Sequence, residues 1–441
     1  MIKIFKLYEH QKIALNYLRL NDSFLLSMEQ GTGKTLPSLC RILELLKVKA
    51  IHNALIVCPK SVIASWYRDM ELFEPTDRKL LESKVDVINY DMVWRNERYN
   101  RPYDLILLDE AHCITNRNSR RSSFLLRASS KAKYRYLLTG TPIGNGRLED
   151  TWSLMCFLDP VVVSKQVYSN IWKELTGGRG SYSDWLHRYA YLDQYHKPYK
   201  YKNVREIQSV LQTYSYGVKK VDCLDLPAKL PDEIRLLNLA EPKTYKQMAK
   251  DSAIVELDIV ADNPLVKLLY LRQICSGCFS PTNKTSKESA LEDLLLEIGS
   301  NKLVIFAEFT ASITNIKKIL KKHNVTFTTQ DGSSDKSNWR MFQTDENIQV
   351  IICQYQSGCQ GIDLYSADTT LYYEPTLRST VLEQSRDRTH RNGQRNVCSY
   401  IHFITKGTVE EAIYKALSGY SDFNEKLFTQ YLDEYQRSYR R

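Results

Sequence analysis

No run of about 18 apolar residues occurs in the 441-residue chain, so no membrane-spanning helix is expected. The opening MIKIFKLYEH has neither the apolar stretch nor the cleavage site of a secretory signal. Low-complexity segments and short-period repeats are missing. Cysteines number ten, yet only Cys275 and Cys278 form a CxxC pair, and no second pair completes a zinc site. Scattered, reduced thiols are therefore expected. No constellation of nuclease residues is evident.

What is present is an ordinary globular composition, 43% hydrophobic and 25% charged. The length exceeds what one core serves, so two or three domains are expected. A formal net charge of +10 leans towards a polyanionic partner, though modestly for a chain of this size. Tyrosine is frequent, at 29 residues; tyrosines stack on bases, but they also pack cores.

Apolar runs alternate with helical patterns over the first 160 residues: Phe24–Ser27, Ala54–Cys58, Val85–Asn89, Leu105–Leu108 and Tyr136–Leu138 read as strands. Continuous apolar strands separated by helices predict a parallel sheet covered on both faces. A second α/β series, with strands at Leu303–Ala307, Val350–Cys353 and Thr370–Tyr373, occupies the last third. The fold class is thus α/β, two parallel-sheet lobes with a helical insertion between them. The expected division is 1–160, 161–265 for a mainly helical insertion and crossing segment, and 266–441. Glu241–Ala261 reads as helix.

Met28-Glu29-Gln30-Gly31-Thr32-Gly33-Lys34-Thr35 follows a strand and opens a helix, the context of a phosphate-binding loop. Gly31, Thr32 and Gly33 let backbone N–H groups close on phosphate oxygens. Lys34 would neutralise the β- and γ-phosphates of ATP, and Thr35 would ligand Mg²⁺. Met28 stands where the eight-residue pattern has its first glycine. Asp109-Glu110-Ala111-His112 follows the strand Leu105–Leu108; Asp109 would hold Mg²⁺ and Glu110 orient the attacking water. Alone, such a run also suits a helix N-terminus. Leu138-Thr139-Gly140-Thr141-Pro142 is either a loop reporting on the γ-phosphate or a plain turn.

These pieces, in this order, resemble the first lobe of superfamily-two helicases, and in finer detail the Swi/Snf-type branch of double-stranded DNA translocases. Gln11, in Tyr8-Glu9-His10-Gln11, is similar to the family's adenine-recognising glutamine. Leu55-Ile56-Val57-Cys58-Pro59-Lys60-Ser61 followed by Trp66 resembles its segment on the DNA backbone, and Ile88-Asn89-Tyr90-Asp91 its "TYE"-like element. Gln384-Ser385-Arg386-Asp387-Arg388-Thr389-His390-Arg391-Asn392-Gly393-Gln394 resembles the QxxxRxHRxGQ signature. That resemblance implies that Arg388 and Arg391 reach the γ-phosphate from the facing lobe, and their spacing suits one side of a helix. Leu271-Arg272-Gln273-Ile274-Cys275 looks like "LRQIC", making Cys275 structural. Ser357 to Leu364 is similar to the "AGGxGINL" element, giving Gly361 and Asp363 a place at the ribose. Tyr373-Glu374-Pro375 stands in place of "WNP", and Thr408-Val409-Glu410-Glu411 resembles "TIEE". Asp331-Gly332-Ser333 matches a "DGS" turn.

The resemblance implies that the lobes are RecA-like and that the chain is an ATP- and Mg²⁺-dependent motor on DNA, most simply duplex and read without sequence specificity, with backbone contacts from Lys60, Ser61, Thr310 and Ser357. Alternatives are a strand-separating or branch-migrating helicase, an ATP-gated clamp, and the motor subunit of a restriction or defence complex. In 161–225 the residues Trp185, His187, Arg188, Tyr189, Tyr191, Tyr195, Tyr199 and Tyr201 interleave base and ring, as either a DNA-facing platform or a subdomain packing its own tyrosines. The compact architecture suggests a monomer of bacterial or phage type, cytoplasmic in such a cell, or nuclear in a eukaryote.

Overall fold

A computed structural model describes residues 5–140, 142–143, 146–163, 166–223, 226–279, 285–332, 334–335, 337–355 and 362–438. The chain forms two compact units, Met1–Asp225 and Leu226–Arg441. The stretch 161–265 is therefore not a unit of its own: its first part belongs to the first unit and its remainder to the second.

Six parallel strands build the first unit's sheet: β1 (Ser23–Met28), β2 (Ala54–Cys58), β3 (Val85–Asn89), β4 (Leu105–Asp109), β5 (Tyr134–Leu138) and β6 (Ser215–Val218), in the order β6-β1-β5-β4-β2-β3. Both faces are covered, which explains the unbroken apolar runs. In β2, Ala54, Ile56 and Cys58 join a core with Leu39, Ile42, Leu46, Trp66 and Leu81, whereas Leu55 and Val57 join the opposite core with Leu125, Trp152, Phe157, Trp172 and Trp185. The two-residue period of the strand divides one apolar run between two helical layers.

The second unit repeats this plan with β7 (Glu233–Leu237), β8 (Leu303–Ala307), β9 (Phe327–Gln330), β10 (Val350–Gln354), β11 (Thr369–Tyr372) and β12 (Ser399–Thr405), ordered β7-β12-β11-β8-β10-β9 and parallel throughout. Val304 and Phe306 face one core, Leu303, Ile305 and Ala307 the other. Two parallel-sheet lobes of RecA-like type are thus present.

One sequence expectation is extended and another corrected. The insertion carries helices at Asn170–Thr176, Tyr182–Tyr189 and Val204–Tyr214, but also antiparallel hairpins Pro160–Val163/Gln166–Ser169 and Ala190–Leu192/Pro198–Tyr201, and it closes with β6. The helix expected over Glu241–Ala261 spans only Pro242–Asp251. Ser252 adopts φ 57°, and the residues that follow, β-branched at Ile254, Ile259 and Val260, form the short hairpin Ala253–Ile254/Ile259–Val260.

Candidate nucleotide site

Three sequence motifs meet at the carboxyl ends of three adjacent strands, where open α/β sheets bind ligands. The phosphate-loop residues leave β1, the acidic pair ends β4, and Thr139-Gly140 leaves β5, which lies between them.

Gly31 (φ 83°) and Gly33 (φ 79°) occupy left-handed backbone conformations, which glycine adopts at least cost. Thr32 Oγ1 donates to the Glu29 carbonyl at 2.7 Å, tightening the turn. Lys34 is buried and donates from Nζ to the Met28 carbonyl at 2.8 Å, so its ammonium is satisfied inside the loop. Thr35 begins the helix Thr35–Lys47, leaving its first amides free of helical partners.

The loop is braced from three sides. Gln11 is 2% exposed; its Nε2 donates to the Gly33 carbonyl at 3.0 Å and its Oε1 accepts from Tyr8 N at 2.9 Å. A Cβ on Gly33 would lie 2.3 Å from that Nε2, so a side chain there would displace the Gln11 amide and strain the left-handed backbone. His10 Nε2 also meets the Thr32 carbonyl, at 2.8 Å. Gly140 packs on the loop backbone, and a Cβ there would meet Gln30 N at 3.3 Å. Lys220 N donates to Glu29 Oε2 at 2.7 Å, and Glu29 N to the Val218 carbonyl at 2.9 Å.

Asp109 is buried. Its Oδ2 accepts from Trp66 Nε1 at 3.0 Å and its Oδ1 from Glu110 N at 3.0 Å, while its carbonyl accepts from Tyr90 Oη at 2.9 Å. Burial first, then repulsion from Glu110, pushes its pKa up to about 6, against the pull of Lys34 and Trp66. Glu110 sits in the left-handed region, at φ 54°, a strained place for a side chain with a Cβ. Its Oε1 accepts from Gln30 Nε2 of the phosphate loop at 3.0 Å. Two carboxylates forced together beside a lysine favour a divalent cation. Asp109 and Thr35 are the residues that would hold Mg²⁺.

Trp66 and Tyr90, which the sequence offered only as parts of family segments, position Asp109. Trp66 is fully buried, so it does not present its ring to DNA; its indole fixes a carboxylate 43 positions away. No spacing rule links the two.

In the second unit the helix Ser379–Thr389 ends before Arg391, so the two arginines do not share one helix face. They nonetheless converge. Arg388 donates to the Ile362 carbonyl at 3.3 Å and Arg391 to the same oxygen at 3.1 Å. Arg391 also pairs with Asp363. Gln394 closes the turn by donating to the Ala367 carbonyl at 2.8 Å, and His390 meets the Pro227 carbonyl at 2.8 Å. Arg391 is partly exposed, while Arg388 is buried.

Lys60 and Thr310 are exposed, at the starts of a short 3-10 turn and of the helix Thr310–Lys322; Ser61 is half-buried. Ser357 and Gly361, with Gly358, Cys359, Gln360, Thr141 and Ser333, lie outside the described residues. Among the described residues no group of three or more His, Cys, Asp and Glu is placed to hold a metal, the nine described cysteines are free, and no helix is long and apolar enough to cross a membrane. The expected platform is divided: Trp185 and Tyr189 pack with Trp172 in the core, whereas Tyr191, Tyr195 and Tyr199 are exposed.

A loop of phosphate-binding type and an acidic pair lie in the first parallel-sheet unit and paired arginines in the second, the parts that a two-lobed, helicase-type nucleotide-binding protein requires. Comparison with known families agrees. Residues 76–279 match the SNF2-related domain, 286–393 the helicase conserved C-terminal domain, and 4–144 the type III restriction enzyme, res subunit. The chain is thus similar to SNF2-related and helicase C-terminal domains over most of its length. It is 26% identical over 457 residues to an "uncharacterized ATP-dependent helicase" of Mycoplasma pneumoniae, covering 93% of this chain and 41% of that protein. Against the human TATA-binding protein-associated factor 172 it is 26% identical, covering 92% and 27%. Against the Arabidopsis thaliana ISWI chromatin-remodeling complex ATPase CHR11 it is 25% identical, covering 94% and 42%. The chain thus spans under half the length of these relatives. A solved Sulfolobus solfataricus SWI2/SNF2 ATPase core in complex with dsDNA aligns over 97% of this chain and 93% of that one, with 21% identity and a TM-score of 0.44.

Proposed function

We propose that the chain hydrolyses ATP and couples the reaction to movement along duplex DNA. The observation that carries the reading is the meeting of Lys34, Asp109, Glu110 and Gly140 at the ends of β1, β4 and β5, around a loop whose glycines open its amides.

In this reading the amides of Gly31, Thr32 and Gly33 cradle the phosphates, and Lys34 leaves the Met28 carbonyl to meet the β- and γ-phosphates. Gln11 recognises adenine from its place beside the loop. Mg²⁺, when bound by Thr35 and Asp109, neutralises phosphate charge. Glu110 orients the attacking water and takes its proton. Arg388 and Arg391 stabilise charge developing on the γ-phosphate, with Gly361 and Asp363 at the ribose. Lys60, Ser61, Thr310 and Ser357 touch the DNA backbone, which carries no sequence information, so binding is salt-dependent and non-specific. The match to SNF2-related and helicase C-terminal domains supports DNA as the track. The protein works as a monomer.

The test is the ATPase rate with no nucleic acid, single-stranded DNA, blunt duplex, forked DNA and RNA at one low salt concentration. Strong stimulation by blunt duplex is expected. Stimulation by single strands or RNA alone refutes the duplex reading.

A further inference from the structure

The hairpin Ala190–Leu192/Pro198–Tyr201 exposes three rings within nine residues: Tyr191 at 46%, Tyr195 at 71% and Tyr199 at 69%. Rings this open add little to the core, unlike Trp185 and Tyr189 immediately before them. Tyr191 and Tyr199 lie on opposite strands with ring centroids 6.4 Å apart, and Lys202 Nζ sits 5.0 Å from the Tyr191 centroid.

The hairpin is also basic. Lys197 and Lys200 are exposed, and Lys202 is half-buried. Its one carboxylate, Asp193, is exposed but engaged in the turn: Oδ1 accepts from Tyr195 N and from Lys197 N, each at 2.8 Å. That cap also holds the tip in one shape, with His196 at φ 58°. His196 lines an open cavity of about 660 Å³ whose wall carries Arg117, Arg127, Tyr168 and Tyr182. Arg117 lies 4.1 Å above the Tyr182 ring. Cations and rings therefore continue from the hairpin into a concavity of ligand size.

Lysines attract any nucleic-acid backbone, but an aromatic face stacks only on a base whose own face is uncovered. In blunt duplex those faces are covered. We propose that this hairpin, with the adjoining cavity, is a stacking contact for unpaired bases, so that the protein holds junctions between single strand and duplex more tightly than blunt duplex. The inference rests on the reading that the chain's track is DNA.

The full chain carrying Tyr191→Ala, Tyr195→Ala and Tyr199→Ala together tests it, by fluorescence anisotropy on a fork and on a blunt duplex of equal length. The native protein is expected to favour the fork by on the order of ten-fold. The triple alanine variant should lose that preference while keeping blunt-duplex affinity and duplex-stimulated ATPase within about two-fold. The matching triple Phe variant should keep the preference, because stacking does not use the hydroxyl. Lys197→Gln with Lys200→Gln should weaken both substrates alike. No fork preference in the native protein, an alanine variant that retains it, or a Phe variant that loses it would each overturn the proposal. Absence of duplex-stimulated ATPase in the native protein is a separate result, which counts against the motor reading and leaves the fork comparison interpretable.

Discussion

Lys287 and Glu410 form an ion pair with almost no access to water, each side chain being 1% exposed, at 2.7 Å. Lys287 Nζ also donates to the Tyr373 carbonyl at 3.0 Å, and Glu410 Oε2 accepts from Thr405 N at 2.8 Å. The pair joins helices Ser286–Ile298 and Val409–Ser418. Changing Lys287→Met keeps length and apolar bulk but strands a buried carboxylate with one amide partner. Breaking such a pair costs about 3–5 kcal/mol. Glu410→Gln keeps an acceptor for Thr405 N and leaves the ammonium its carbonyl, so its cost is smaller, about 1–3 kcal/mol. The double variant removes both charges and should lose less than Lys287→Met alone, giving a coupling of about 2 kcal/mol or more. Hydrogen exchange across a urea series, read on amides of Leu303–Ala307, isolates the second unit from the first. A Lys287→Met loss under about 1 kcal/mol, or single effects that simply add in the double variant, would refute the reasoning.

Three further outcomes concern the proposed chemistry. Lys34→Ala removes only one internal hydrogen bond, so the fold should survive while ATP turnover falls by at least about 10²-fold; a folded variant with native turnover would remove Lys34 from the phosphate site. Arg391→Ala should lower turnover by about 10³-fold and spare most ATP binding, with Asp363→Asn as the control for its freed partner; a folded Arg391→Ala protein that binds no ATP contradicts the γ-phosphate role. Trp66→Phe retains the ring in the core but deletes the donor to Asp109, and should raise the Mg²⁺ concentration needed for half-maximal ATPase about ten-fold; an unchanged titration would mean that the indole does not support the carboxylate.

The central strands were legible because burial on both faces demands unbroken apolar runs, as in Ala54–Cys58 and Leu303–Ala307. The strands that escaped notice are mostly edges. Ser215–Val218, Glu233–Leu237 and Phe327–Gln330 are only partly covered, so their sequences mix polar and apolar residues. Ser399–Thr405 is internal yet hidden by His402, whose burial is met by Asp232 at 3.2 Å, a partner 170 positions upstream. The phosphate loop and acidic pair were readable as local words. Trp66, Tyr90 and the Lys287–Glu410 pair were not, because each acts through a partner brought near only by the sheet order.

That same distinction explains how the insertion bears on the site. Its last strand, β6, pairs with β1 in parallel register, Met28 opposite Val218, and the next turn places Lys220 N on Glu29 of the phosphate loop. Helix Glu9–Leu20 holds the loop's other side through His10 and Gln11, and Gly140 presses on its backbone between them. The phosphate loop therefore has little room to shift without moving one of three neighbours, each joined to it by backbone contact or by a hydrogen bond of 3.0 Å or less. With a nucleotide at Lys34, as proposed, a shift of the loop would press on β6, which closes the insertion that carries the exposed tyrosine hairpin. Packed elements pass displacement on because close-packed interiors have no slack to absorb it.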